Sequence, residues 1–186
     1  MNARRSAVAA VLLLAFGVTG CTAQGQVTTG TPKPPATAAP APGSQTTTGT
    51  GTPMVYPCDQ LVDAQTLAKL DSGLTADSVT APAAGSPAAE AIALQGTSCS
   101  WSDAGSQTTL SVSVALPDAA TFDSLKTKAS AGTLDGEFGS FVTAYTDGNG
   151  EVQLFTTDGS WAVLDSPLML DDANRSLLGQ AVVMAL

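Results

Sequence analysis

The sequence predicts an α+β domain, in which an antiparallel β-sheet carries about three helices packed mainly on one of its faces. Apolar and small polar residues alternate over residues 110–116, which is the pattern of a strand with one buried face. Two glycine-rich turns, at residues 147–150 and 158–159, separate further strand-like segments at hairpin spacing. Segments with helical periodicity stand before, between and after these strands, an order typical of α+β domains.

The first part of this domain is expected to open with a helix that runs to about Leu70. Asp59 or Asp63 is the expected cap. Four apolar residues share one face of this helix at helical spacing, namely Leu61, Ala64, Leu67 and Ala68. Residues 71–98 are rich in Ala, Gly, Ser and Pro, and are expected to hold one weak strand or irregular turns around residues 92–94.

The second part is expected to be rich in strands. A strand around Trp101 leads through a turn at Gly105 into the alternating strand, and Pro117-Asp118 then opens a helix to about residue 129. Three further strands are expected at 141–146, 151–157 and 160–165. Asp171 and Asp172 open the last helix, where their charges suit the positive end of the helix dipole. Its broad apolar face comprises Leu177, Leu178, Ala181, Val182 and Met184.

The N-terminus has the composition of a secretory signal peptide over residues 1–20. Arg4 and Arg5 precede an uncharged apolar run at residues 7–16, which is too short for a membrane span of about 20 residues. The following Val18-Thr19-Gly20-Cys21 resembles the lipobox of bacterial lipoproteins, in which the cysteine thiol receives a diacylglyceryl group and a peptidase cuts before it. The resemblance implies lipidation of Cys21 and a cell-membrane anchor on the extracytoplasmic face. The alternative is an ordinary signal peptide in which Cys21 has no such role.

Residues 21–52 are a low-complexity segment of Thr, Gly, Ala, Pro, Gln and Ser, for which we expect a disordered tether. Its Thr-Pro richness is also typical of O-glycosylated segments. The extracytoplasmic domain is expected at residues 53–186. The formal net charge of the chain is −9, and loss of Arg4 and Arg5 would take it to about −11. Such an acidic surface repels nucleic acid and anionic lipid head groups.

The chain has three cysteines and no histidine. With Cys21 assigned to lipid, Cys58 and Cys99 remain as one pair in an oxidising compartment. Two free buried thiols are the alternative. A zinc site is poorly supported, because two cysteines without histidine do not make a four-ligand set.

Two short stretches carry a resemblance to a known family. Pro57-Cys58-Asp59-Gln60-Leu61 at the start of a helix, followed by Cys99-Ser100-Trp101 entering a strand, resembles a family of small actinobacterial lipoproteins of unknown function. The layout of lipobox, Thr/Pro-rich linker and domain is similar over nearly the whole chain. The resemblance implies a Cys58–Cys99 disulfide and a cell-envelope location. It brings no catalytic residues.

Few residues suggest catalysis, and we predict no catalytic residue, metal or cofactor. Without histidine, Ser-His-Asp and Cys-His schemes are excluded. Paired carboxylates remain, and the pairs Asp135/Glu137 and Asp171/Asp172 are candidates for glycan hydrolysis, although a turn and a helix cap explain them. The segment 147–151 faintly resembles a calcium loop but lacks its further ligands. Trp101 and Trp161 are expected to be core residues.

Two classes of function therefore follow from the sequence. The first is a non-enzymatic envelope lipoprotein that acts as a binding or accessory module, with a protein, a cell-wall polymer or a lipid as its partner and no nucleic acid. The second is an envelope glycan hydrolase that uses paired carboxylates.

Overall fold

The computed structural model describes residues 50–77, 81–136, 138 and 140–186. Within this part of the chain, eight strands form one sheet. They are β1 (Gly51–Thr52), β2 (Thr75–Ala76), β3 (Thr97–Asp103), β4 (Thr108–Pro117), β5 (Thr133–Asp135), β6 (Val142–Thr146), β7 (Glu151–Thr156) and β8 (Trp161–Asp165). The α-helices are α1 (Cys58–Leu61), α2 (Ala64–Leu70), α3 (Pro87–Ala93), α4 (Ala119–Ala129) and α5 (Asp172–Ala185). A 3₁₀ helix, Pro167–Leu170, precedes α5.

The sheet is antiparallel, with strand order β2-β3-β4-β8-β7-β6-β5 and β1 paired to the end of β4. After β4 the chain crosses through α4 to the far edge, and the meander β5–β8 returns it to the middle of the sheet. The predicted α+β class with an antiparallel sheet is confirmed. The described residues contain five α-helices, somewhat more than the three expected.

Helices cover both faces of this sheet, which corrects the expectation that they pack mainly on one face. On the first face, α1, α2 and α5 pack on the larger core, whose residues include Leu61, Leu70, Val112, Val114, Leu154, Leu164, Leu178 and Val182. On the second face, α3 and α4 pack on a smaller core of Ala91, Leu94, Ala115, Leu125, Ala129, Phe155, Trp161 and Val163. The second layer exists because β4 buries small side chains there: Ser113 and Ala115 are both 0% exposed. A helix can therefore lie close to that face.

Three local expectations need correction. Residues 92–94 end the helix α3 instead of forming a strand or irregular turns. Ser86 begins this helix, because its side chain accepts a hydrogen bond from the backbone N–H of Ala89, and Pro87 occupies the first helical position. Two helices, α1 and α2, stand where a single helix was expected. Asp63 caps only α2, and the buried residues of α2 are Thr66 and Leu70. Met184 is 81% exposed and does not belong to the buried face of α5.

Other expectations on the core are confirmed. A disulfide joins Cys58 at the start of α1 to Cys99 in β3, with a Cα–Cα distance of 5.6 Å. Trp101 and Trp161 are buried core residues, 3% and 0% exposed. None of the described helices is long and apolar enough to cross a membrane. Cys21, the predicted signal peptide and the linker up to residue 49 lie outside the described residues, whereas Gly51–Thr52, at the end of the predicted linker, pairs with β4.

Candidate functional site

A crevice of about 330 Å³ opens on the second face of the sheet, between the strands β3, β4 and β8 and the segment that leads into α3. This volume is at the lower end of the range of ligand pockets, about 300–1,000 Å³. Its floor carries the side chains of Ser98, Ser100, Ser111 and Asp165. Its rim is formed by Asp77 and by small or short residues between Ala81 and Ser86.

The strand register brings these floor residues together. Ser100 in β3 lies opposite Ser111 in β4, and Ser111 lies opposite Asp165 in β8. Asp165 in turn lies opposite Glu151 in β7. Because side chains alternate between faces, and the neighbours of Ser100 in the chain belong to the first core, these four side chains form one polar row on the second face. This row is hereafter called the polar row.

The apolar and polar parts of the second face lie at opposite ends of the strands. Trp161 and Phe155 lie opposite each other, stacked with ring centroids 6.3 Å apart, beneath α3 and α4. The polar row crosses the sheet near the other end of β8, beyond this small core. The crevice is the space between the polar row and the segment before α3.

Hydrogen bonding within the crevice is incomplete. Ser113 donates from Oγ to Ser98 Oγ at 2.8 Å, and Ser102 donates from Oγ to Asp77 Oδ1 at 2.6 Å. Ser100 as a residue is only partly buried, yet its Oγ has less than 1 Å² of exposed surface and has no hydrogen-bond partner among the described residues. The Asp165 carboxylate likewise receives no hydrogen bond from this part of the chain.

The acidic end of the polar row has an unfavourable electrostatic environment. Desolvation raises the pKa of the Asp165 carboxyl above its ordinary value, and the charge on Asp147 raises it further. Desolvation also raises the pKa of Glu151, in part offset by a 2.8 Å hydrogen bond from Gln153 Nε2, and the charges on Asp147 and Asp165 add to the increase. Perturbed carboxyl groups of this kind are more frequent at functional sites than elsewhere.

A second cavity of about 260 Å³ lies on the other side of Glu151. Its lining includes Glu151, Gln153, Tyr145 and Lys128. The Lys128 ammonium forms an ion pair with Glu90 at 2.9 Å, with 66% of the lysine side chain exposed. Glu151 and Asp165, although opposite each other in the sheet, therefore line different cavities.

The carboxylates proposed from the sequence lie elsewhere and contact groups of the fold. Arg175 donates from Nε to Asp135 Oδ2 at 2.9 Å and also binds Asp172. Asp171 caps α5 by accepting a hydrogen bond from the backbone N–H of Asn174 at 3.0 Å. Glu137 lies outside the described residues. Asp135, Asp171 and Asp172 do not line the crevice.

The segment 147–151 forms a hairpin turn. Asp147 Oδ1 accepts hydrogen bonds from the backbone N–H groups of Asn149 and Glu151 at 2.7 and 3.0 Å, which gives this aspartate a local structural role. Within the described residues, no group of three or more Cys, Asp or Glu is arranged to hold a metal ion.

Sequence reasoning did not single out the polar row. Ser100 and Ser111 were assigned to strands, and their position opposite Asp165 depends on the pairing of β4 with β8. The one signal in the sequence was the strand alternation, which assigns Ser100 and Ser111 to the face opposite the apolar residues. In comparisons with known proteins, no family model, no curated protein and no solved structure matches this chain.

Proposed function

We propose that this protein is a membrane-anchored lipoprotein of the cell envelope, and that its domain is a non-enzymatic binding module whose ligand site is the crevice above the polar row. The observation that carries the proposal concerns Ser100, which lines the crevice and whose buried hydroxyl has no hydrogen-bond partner among the described residues. A buried polar group left unpaired costs about 1–3 kcal/mol. A ligand that pairs with this hydroxyl would recover that cost.

The composition of the crevice supports binding of a small polar ligand. The floor offers serine hydroxyls and one carboxylate, and Ala81, Pro82 and Ala83 on the rim add little bulk. Its few polar groups stand on strands, which hold them in fixed positions and can therefore orient a ligand.

The anchor part of the proposal rests on the lipobox resemblance at Cys21. A domain closed by a disulfide is what an oxidising extracytoplasmic compartment favours, which supports export. Fractionation of cells that express the full-length protein tests the anchor. We expect Cys21→Ser to leave the membrane fraction, whereas the adjacent control Thr22→Ser should remain there. Retention of Cys21→Ser in salt-washed membranes would contradict the anchor.

The crevice is tested with a variant that fills it. Ser111→Leu places a larger side chain on the floor, and Ser124→Leu makes the same change at an exposed position of α4. Ligand-observed NMR would record which small polar molecules of an envelope extract bind each full-length protein, once circular dichroism shows that both variants are folded. We expect signals that the wild type and Ser124→Leu attenuate and that Ser111→Leu does not. If all three attenuate the same signals, the crevice is not the site.

A glycan hydrolase is the second candidate, and one observation favours it. Directly opposed residues of antiparallel strands have Cβ atoms about 5 Å apart, and retaining glycosidases place their two carboxyl groups at about 5–5.5 Å. Glu151 and Asp165 are opposed in this way. Because they line different cavities, we prefer binding. Release of reducing ends from purified cell-wall glycan by the wild type, and its loss in Glu151→Gln, would reverse this preference.

A further inference from the structure

We propose that the ligand of the crevice presents an ammonium group, which Asp165 and the hydroxyls of Ser100 and Ser111 receive. This inference rests on the proposed binding function and deepens it, because it names the chemical class of the ligand. Its basis is the charge of the crevice together with the kind of hydrogen-bonding group that is left unpaired there.

The charge of the crevice favours a cation. Asp77 and Asp165 line it, and no lysine or arginine does so among the described residues. Glu151 stands next to Asp165 in the polar row, and the negative charge on Asp147 acts on both of these carboxylates. Lys128, the cation that acts on Glu151, is engaged with Glu90. An anionic ligand would therefore enter an uncompensated negative field, whereas a cation would relieve it.

The hydrogen-bonding groups favour an ammonium group in particular. An ammonium has three donors and no acceptor. The Asp165 carboxylate is purely an acceptor, and the hydroxyls of Ser100 and Ser111 each have lone pairs to offer. These three side chains are successive members of the polar row and stand side by side on the adjacent strands β3, β4 and β8. A charge-assisted hydrogen bond to the carboxylate would be the strongest of these contacts.

A pair of probes that differ in charge tests the inference. Full-length ¹⁵N-labelled protein would be titrated with 1,4-diaminobutane, and separately with 1,4-butanediol, at near-physiological salt. We expect the diamine to shift the backbone amide signals of Ser100, Ser111 and Asp165 in a saturable manner. The diol should leave them unchanged.

Two substitutions of equal charge change sharpen this test. Asp165→Asn should weaken binding of the diamine at least about tenfold, the loss expected for a charge-assisted hydrogen bond. Asp123→Asn is the matched control, since Asp123 is an exposed carboxylate on α4 that does not line the crevice. Equal affinity losses in the two variants would mean general attraction to an acidic surface, and would overturn the inference.

Ser100→Ala separates a ligand role from a structural one. Because Ser100 Oγ has no partner among the described residues, its removal should leave the melting temperature of the free protein unchanged or raise it. It should at the same time weaken the diamine. A lower melting temperature with unchanged diamine affinity would contradict the assignment of this hydroxyl to the ligand.

The outcomes also separate this inference from the proposed function. If the diol binds as well as the diamine, or if an uncharged molecule from the envelope extract occupies the crevice and the diamine does not, the ammonium class is wrong and the binding module stands. If neither the probes nor any extract component shifts the amide signals of the crevice, both proposals fail.

Discussion

Arg175 forms the most deeply buried ion pair among the described residues. The Arg175 and Asp135 side chains are only 14% and 6% exposed, and the pair ties α5 to the edge strand β5. Arg175 Nη1 also donates to the backbone carbonyl of Met169 at 2.8 Å. Replacement by methionine keeps most of the aliphatic stem but removes the charge and these donors.

We expect Arg175→Met to lower the free energy of unfolding by about 3–5 kcal/mol, because it leaves the buried Asp135 carboxylate without the guanidinium. The cost stems from removing the guanidinium from beside a buried carboxylate, so the double variant Arg175→Met/Asp135→Leu should recover much of it. The exposed pair Lys128–Glu90 is the internal control, since Lys128→Met should cost no more than about 1 kcal/mol.

Urea unfolding at neutral pH, followed by tryptophan fluorescence, measures all of these free energies. Trp101 and Trp161 are buried in the two cores and report on both faces of the sheet. A loss of less than about 1 kcal/mol for Arg175→Met would refute the reasoning, as would a double variant less stable than the single one.

Three further predictions concern other parts of the domain. Removing the disulfide with Cys58→Ala/Cys99→Ala should cost about 4 kcal/mol in urea unfolding, the chain-entropy value for a loop of this length, and a cost near zero would contradict it. Gly179→Ala should destabilise the domain by about 1–3 kcal/mol, because the added Cβ would lie 2.1 Å from Phe138 Cε1. This steric cost exceeds the gain of about 1 kcal/mol in helix propensity. A net stabilisation would show that Phe138 moves at no cost. The pKa of Glu151 is raised in the folded state, so that protonation of this carboxyl stabilises the fold. This stabilisation is complete below the unfolded pKa of 4.5 and is lost as the pH rises through the folded pKa. Glu151→Gln should therefore raise the melting temperature at pH 7, with the difference shrinking towards about pH 4, and a pH-independent difference would contradict this sign.

Much of the fold followed from local patterns. The strands β6, β7 and β8 and their hairpin turns were predicted because glycine and aspartate fix such turns locally. Residues 92–94 alone do not indicate a helix, because the signals for α3 lie upstream, in Ser86-Pro87 and the alanine-rich residues that follow.

A buried serine in β4 shows why the alternating pattern of this strand did not predict helices on the second face. Alternation suggested that the serines of this strand face solvent. Ser113 is instead fully buried, because a hydrogen bond to Ser98 satisfies its hydroxyl and its small volume lets the second face pack. A binary division into apolar and polar residues does not show which hydroxyl will find a partner, so the second layer of helices was not foreseen.

The crevice could not be predicted from the sequence. Its floor depends on β4 lying beside β8, which are separated in the chain by α4 and three strands. Strand alternation assigns each side chain to a face, but it fixes neither strand order nor register. Without that register, nothing in the sequence distinguishes Ser100, Ser111 and Asp165 from other strand residues.

The ends of the sheet would matter for the lipid-anchored protein that we propose. The outermost strands, β2 and β5, have only two and three residues. Short edge strands expose few free backbone donors and acceptors, and therefore give another chain little to pair with. If lipid on Cys21 confines many copies to one membrane, their local concentration is high, and long open edges would invite aggregation. The domain can then be crowded on a membrane while its copies remain separate.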